Sequence, residues 1–171
     1  STVCDKFSDF SKIKIPMDLM YSSEIPNNVS AILLGSGFGR NQQNMDMAWD
    51  FIKQGSLNDK CSFVFDADIF YYQKLPLLLQ ELKNQQVILT PHPKELFYLL
   101  KLYDIKVDSV EEVIQNRFEF CKLFSEKNPN CVLVSKGAIT YICHQNQIFI
   151  CDVGSVALAK EGHSVTAVEL V

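Results

Sequence analysis

The 171-residue chain is 47% hydrophobic and 21% charged with a formal net charge of −4, proportions that suit a water-soluble globular domain with one sizeable core. Acids and bases are interspersed with no basic stripe, which argues against a nucleic-acid partner, and no apolar run approaches the length of a membrane span. Six cysteines, Cys4, Cys61, Cys121, Cys131, Cys143 and Cys151, form neither a CxxC pair nor a zinc spacing, and there is no signal-peptide pattern, so reduced thiols in a cytoplasmic protein are expected.

The elements follow in chain order. "SKIKIPMDLMY" holds at most a short strand and a turn at Pro16. Ser30 to Leu34 reads as a buried strand, "GSGFG" as a tight turn, and "NMDMAWDFIKQG" as a helix closed by Gly55. "CSFVFDAD" is a strand ending in two acids, and "LPLLLQELKN" a helix with Pro76 in its first turn. "QVILT", "PHP" and "KELFYLLKLY" repeat the strand, junction and helix, and residues Ser109 to Ser125 predict a further helix. "NCVLVSKG" is a strand ending in Lys-Gly, "TYICHQNQIFICD" a hairpin that places His144 at a surface turn, and "GSVALAKEGHSVTAVELV" a loop entering a final helix. Apolar strands alternating with helices predict an α/β fold, a mainly parallel sheet covered on both faces, in one domain over residues 1–171.

Ligands of such sheets gather beyond the carboxyl ends of the strands, and the least core-like residues stand there. Gly35, Gly37 and Gly39 permit close backbone approach ahead of a helix N-terminus, or serve only the turn. Asp66 and Asp68 are two apart, so an extended chain would face both carboxylates to one pocket, where they can hold Mg²⁺ through water, orient a hydroxyl or bind ribose; the plain alternative is a helix cap and a loop. Pro91 and Pro93 restrict the backbone around His92, which can move a proton, contact a base or phosphate, or simply sit in a rigid turn before Lys94 and Glu95, with Thr90 as a cap or ligand contact. Lys136 and Gly137 offer positive charge to phosphate, or a commonplace exposed lysine.

The succession "AILLGSGFGRN", "FVFDADIF", "VILTPHPKE", "VLVSKG" and "GSVALAKEG" resembles the ADP/ATP-dependent NAD(P)H-hydrate dehydratases, which have a ribokinase-like fold; residues 12–21, "KIKIPMDLMY", resemble them more loosely. The resemblance implies dehydration of hydrated NADH or NADPH driven by ADP or ATP with Mg²⁺, through phosphorylation of the hydrate's hydroxyl and loss of phosphate. It places Gly35, Gly37, Gly39, Asp66, Asp68, His92 and Pro93 on the substrate side, with Asp68 also near metal water. Lys136, Gly137, Gly154 and Gly162 fall on the nucleotide side.

The departures cluster at the end. Where the family continues through a glycine-rich motif to a catalytic aspartate, this chain reads "GHSV": Gly162 matches, Ser164 replaces a glycine and Val165 stands at the aspartate position. Val165 can neither accept a proton nor carry charge, and His163 is two places away at an expected helix start. Tyr71 and Ser155 replace asparagines usual in the family. A frameshift in a dehydratase sequence, a catalytically dead relative and a real divergence all fit, and the abrupt loss of resemblance after Gly162 favours the first. The expectation is a ribokinase-like domain incomplete at both ends, homo-oligomeric because exposed sheet edges invite pairing, from a parent in which an epimerase domain can be fused. The rivals are a small-molecule kinase of the same fold and an inactive nucleotide-binding relative.

Overall fold

Four strands lie side by side in the order in which the chain makes them. β1 (Ala31–Leu34), β2 (Ser62–Phe65), β3 (Val87–Leu89) and β4 (Cys131–Ser135) pair in parallel. β5 (Thr140–His144) and β6 (Gln147–Cys151) add an antiparallel hairpin, completing a six-stranded mixed sheet in the order β1-β2-β3-β4-β5-β6. The computed structural model describes residues 29–54, 61–145 and 147–152. The segments expected around Pro16 and over residues 154–171 lie outside them.

The connections are α1 (Gln42–Gln54), a 3-10 helix (Ala67–Tyr71) with α2 (Leu75–Glu81), and then α3 (Pro93–Leu102), α4 (Val110–Gln115) and α5 (Arg117–Lys127) between β3 and β4. Parallel crossovers are right-handed, and the strand order never reverses, so these helices fall on the same face. Burial along the strands agrees. Leu34, Phe63, Phe65, Val87, Leu89, Cys131 and Leu133 are buried, whereas the alternating Val64, Ile88, Val132 and Val134 are half-buried and Leu33 is 62% exposed. The two-sided cover expected from strand–helix alternation is thus found on one face among the described residues.

Aromatic residues fill that one covered layer. Trp49 of α1 meets Phe63 edge-on with ring centroids 6.4 Å apart, and Tyr103 meets Phe124 of α5 at 5.1 Å. Each fully buried phenylalanine or leucine contributes about 1.5–3 kcal/mol of transfer free energy. The helix expected over Ser109 to Ser125 is two helices. Asn116 takes a non-helical conformation (φ −114°, ψ 26°), and both its amide and its side chain donate to the Glu112 carbonyl. That break ends α4 and turns Arg117 toward the end of β4. His144, expected at the surface, is half-buried at the end of β5, and its Nδ1 is buried with no partner among the described residues.

Cys61, Cys121, Cys131 and Cys143 are buried free thiols and Cys151 is an exposed one; Cys4 lies outside the described residues. No helix among the described residues is long and apolar enough to cross a membrane.

Candidate functional site at the strand carboxyl ends

Parallel pairing brings the ends of β1, β2, β3 and β4 to one edge of the sheet, and with them the candidate residues from positions 35, 66, 92 and 136. After β1 the chain turns through Gly35 (φ 119°), Gly37 (φ 76°) and Gly39 (φ 66°), all left-handed. Gly35 is also required sterically: a Cβ there would lie 1.9 Å from the Asp66 carbonyl oxygen, whereas Gly37 and Gly39 face open space. The loop is then fastened to the segment after β2. The Gly39 amide donates to Asp68 Oδ2 at 2.9 Å, Gln42 Nε2 donates to the Tyr71 carbonyl at 3.0 Å, and the Gln73 amide donates to Gln42 Oε1 at 2.9 Å. The Arg40 guanidinium stacks 3.9 Å above the Tyr71 ring, which in turn leans on Tyr98 with centroids 4.5 Å apart.

Asp66 and Asp68 do not act as an extended pair. Asp66 is the last extended residue, and Ala67 (φ 55°) turns the chain into the 3-10 helix, so the two-residue spacing no longer sets a common direction. Asp68 goes to the glycine loop. Asp66 Oδ1 accepts from Lys136 Nζ at 2.6 Å and from Thr90 Oγ1 at 2.9 Å. Burial pushes the Asp66 carboxyl up, but the Lys136 hydrogen bond and charge, with help from Thr90 and the Ala67 amide, outweigh it and hold the group below the usual carboxylate range. The Thr90 hydroxyl also lies 3.2 Å from the Phe65 carbonyl. Thr90→Val keeps the shape and removes this bridge; a loss of about 1 kcal/mol is expected, read as a fall of about 2–4 °C in Tm. An unchanged Tm would mean that the bridge carries no net stability.

His92 begins α3 as its cap, with Pro93 in the first helical position. Its Nδ1 accepts from the Lys94 amide at 3.1 Å and the Glu95 amide at 3.3 Å. Glu95 answers with both oxygens: Oε2 accepts from the His92 amide at 2.9 Å, and Oε1 lies 3.1 Å from His92 Nε2. Burial, then the Lys136 charge, pushes the imidazole down, and burial pushes the Glu95 carboxyl up.

The Lys136 amide donates to the Pro91 carbonyl at 2.9 Å, tying the β4 end to the proline turn. Arg117 holds the following turn: Nη1 donates to the Lys136 carbonyl at 3.0 Å and Nη2 to the Ile139 carbonyl. Gly137 is where that guanidinium lies, and a Cβ there would come within 1.7 Å of Nη1. The structure therefore brings Gly35, Gly37, Gly39, Asp66, Asp68, His92, Pro93, Lys136 and Gly137 to one edge. Gly154, Gly162, His163 and Val165 lie outside the described residues. Sequence reasoning missed Arg40, Gln42 and Arg117; only the position of Arg40 right after the last glycine was a usable signal.

No group of three or more His, Cys, Asp or Glu side chains among the described residues forms a metal-holding cluster. A cleft between α1 and α2 is lined by Asp46, Asp50 and Glu81, but these acids are already paired with Lys74, Lys53 and the Trp49 indole.

An α/β sheet that gathers glycine turns, a lysine and carboxylates at its parallel strand ends has the architecture in which α/β proteins place their ligands. Residues 9–164 match the family model described as NAD(P)H-hydrate dehydratase, and the chain belongs to that family. The family is enzymatic. Over 147 residues the chain is 44% identical to the bifunctional NAD(P)H-hydrate repair enzyme Nnr of Helicobacter pylori, covering 86% of this chain and 28% of that protein. Among solved structures it resembles Bacillus subtilis YxkO (25% identity, TM-score 0.56, 78% of this chain and 44% of that one). It is also similar in fold to the ADP/ATP-dependent NAD(P)H-hydrate dehydratase of Bacillus subtilis co-crystallized with ATP and Mg²⁺ (23% identity, TM-score 0.57, 82% and 45%). The chain thus spans less than half the length of each of these relatives.

Proposed function

We propose that the strand-end edge is the substrate and nucleotide side of an enzyme that returns hydrated NADH or NADPH to the reduced cofactor, using ADP or ATP with Mg²⁺. The observation that carries this reading is the convergence of the glycine turns, Asp66, Asp68, His92, Pro93, Lys136 and Gly137 on one edge of a chain belonging to this family. The Gly35–Gly39 loop, fastened to Asp68 and Tyr71, forms a pre-ordered wall for the dinucleotide. Lys136 brings a cation beside the Gly137 turn, suited to nucleotide phosphate. Mg²⁺ bound with the nucleotide supplies charge neutralisation, and Asp68, which has no cation partner among the described residues, is the carboxylate left to meet it through water.

Proton abstraction is a separate matter. Asp66 is tied to Lys136 and Thr90, His92 to Glu95 and two helix amides, and Glu95 is buried. A free base at this edge is therefore not supplied by those three groups, and Val165 occupies the place where the family resemblance puts one. Binding by this chain stands apart from turnover by the whole protein, in which an epimerase partner and self-association also belong to the proposal.

The test is to incubate the purified chain with hydrated NADH or NADPH, ADP or ATP and Mg²⁺, and to follow the return of reduced-nicotinamide absorbance alongside Tm. A ligand-dependent rise in Tm of several degrees is expected, because saturation at about 100 times Kd adds about 2.7 kcal/mol. A rise without turnover points to the inactive binding relative. Phosphorylation of an unrelated alcohol points to the kinase. No shift with any of these ligands overturns the proposal.

A further inference from the structure

Lys136 is held through its amide, its side chain and its carbonyl. The amide donates to the Pro91 carbonyl at 2.9 Å, the ammonium donates to Asp66 Oδ1 at 2.6 Å, and the carbonyl accepts from Arg117 Nη1 at 3.0 Å. The first two contacts tie strand ends together. The third comes from a cation that stands where a helix disfavours one. Arg117 opens α5, whose N-terminus carries the positive end of the helix dipole, and among the described residues it has no carboxylate partner. Its Nε is also buried with no acceptor among them.

What the guanidinium holds is the turn between β4 and β5. Nη1 takes the Lys136 carbonyl and Nη2 the Ile139 carbonyl, and the guanidinium carbon lies 4.9 Å over the centre of the Tyr141 ring. Gly137 fits that contact. Unlike the three left-handed glycines after β1 it does not have a positive φ, so conformation does not demand glycine there; a Cβ would instead run into the guanidinium. The peptide joining Lys136 to Gly137 is trans, and across a trans peptide the N–H points opposite to the C=O. With the carbonyl turned toward Arg117, the Gly137 amide is turned away from it. That amide belongs to an exposed residue and has no acceptor among the described residues. Lys136 shares its charge with Asp66, so the outward amide, with a fixed cation behind it, is a donor the turn leaves unused.

We propose that Arg117 is a positioning residue for nucleotide phosphate: it draws the Lys136 and Ile139 carbonyls inward, so that the Gly137 amide faces outward as an anion donor. The phosphate part rests on the proposed function; the hold on the peptide does not. A glutamine in this place has a single donor nitrogen, whereas the guanidinium fork reaches two separate carbonyls from two nitrogens and adds its charge to the field an anion meets.

The test uses a feature of the sequence. Lys136–Gly137 is the only Lys-Gly step in the chain, so labelling lysine with carbonyl ¹³C and glycine with ¹⁵N isolates that one peptide by NMR. In the unaltered chain, ADP or ATP with Mg²⁺ is expected to move the Gly137 amide proton downfield to saturation, and adenosine, which has no phosphate, to leave it in place. In Arg117→Gln the Lys136 carbonyl carbon is expected to move upfield as its charged donor is lost. Kd for the nucleotide is expected to rise about tenfold while Kd for hydrated NADH stays within about twofold, a split that general loosening of the fold would not produce. An amide that stays in place while nucleotide binds, or that moves equally with adenosine, overturns the proposal. So does an unchanged carbonyl shift or nucleotide affinity in Arg117→Gln, or an equal loss for both ligands. Because the first titration uses the unaltered chain, a variant that fails to fold does not shield the idea. Failure of ADP and ATP alike to bind sinks the nucleotide side of the proposed function and the phosphate role with it, while the carbonyl shift alone decides whether Arg117 sets the peptide.

Discussion

Gly35→Ala is expected to lower stability by about 3 kcal/mol or more, a fall in Tm of about 6–12 °C. Two independent costs meet at this position. Its φ of 119° lies where a side chain is strained, a cost of about 1–3 kcal/mol. The added Cβ would also lie 1.9 Å from the Asp66 carbonyl oxygen and 3.0 Å from Ile69 Cβ, and the first of these is backbone that cannot swing aside. Moving Asp66 disturbs the carboxylate that joins β2 to β3 and β4, so ligand binding is expected to weaken as well. Gly37→Ala is the matched control. It has a left-handed φ of 76° but open space, so only the conformational cost of about 1 kcal/mol remains. Thermal melts of the two variants decide the point, and equal losses would show that the close approach of the loop to Asp66 is not what demands glycine.

Lys136→Met is expected to cost about 2 kcal/mol at neutral pH, between the small value of exposed ion pairs and the 3–5 kcal/mol for breaking a buried pair. The intermediate figure follows from the side chains, which are 32% exposed for Lys136 and 24% for Asp66. The loss is pH-dependent with a definite sign. Asp66 has a native pKa held below its unfolded value, so its contribution is present above the unfolded pKa of about 3.9 and is lost as pH falls through the native one. In the variant the opposing lysine is gone and burial raises the carboxyl pKa instead. The difference in Tm between the variant and the unaltered chain should therefore be largest near neutrality and shrink as the pH falls through the variant's raised carboxyl pKa and on through the lowered one of the unaltered chain. Adding Asp66→Asn to Lys136→Met should recover part of the loss, since the uncompensated charge is removed. A pH-independent difference, or no recovery in the double variant, would mean that the lysine acts by packing alone.

Much of the fold could be read from local pattern. The apolar runs at residues 30–34, 61–65, 86–90 and 131–135 stand as β1 to β4, and the expected hairpin stands as β5 and β6, with His144 and Gln147 of the expected turn pairing as the strands' last residues, because buried parallel strands are short continuous hydrophobic segments and hairpins alternate. The gathering of glycines, Asp66, His92 and Lys136 at one edge was equally readable, since parallel strands share a carboxyl end. The break at Asn116 was not. The break comes at Asn116, whose amide and side chain both bond the Glu112 carbonyl, and the next residue, Arg117, bonds the Lys136 carbonyl 19 residues on in sequence.

The sequence by itself determined the α/β class, the order of the strands along the chain, the glycine loop and the membership of the NAD(P)H-hydrate dehydratase family, all of which depend on residue type and spacing. Only the tertiary structure decided which partners the polar groups take. Asp66 looked like a companion of Asp68, yet it is bound to a lysine 70 positions away, and Asp68 to an amide 29 positions away. His92 looked available for proton transfer, yet its Nδ1 caps the following helix, accepting from the Lys94 and Glu95 amides. Periodicity reports which side of an element faces the core. The charge and proton state of a group depend on atoms within about 3 Å, drawn from distant parts of the chain that meet only when the sheet is assembled.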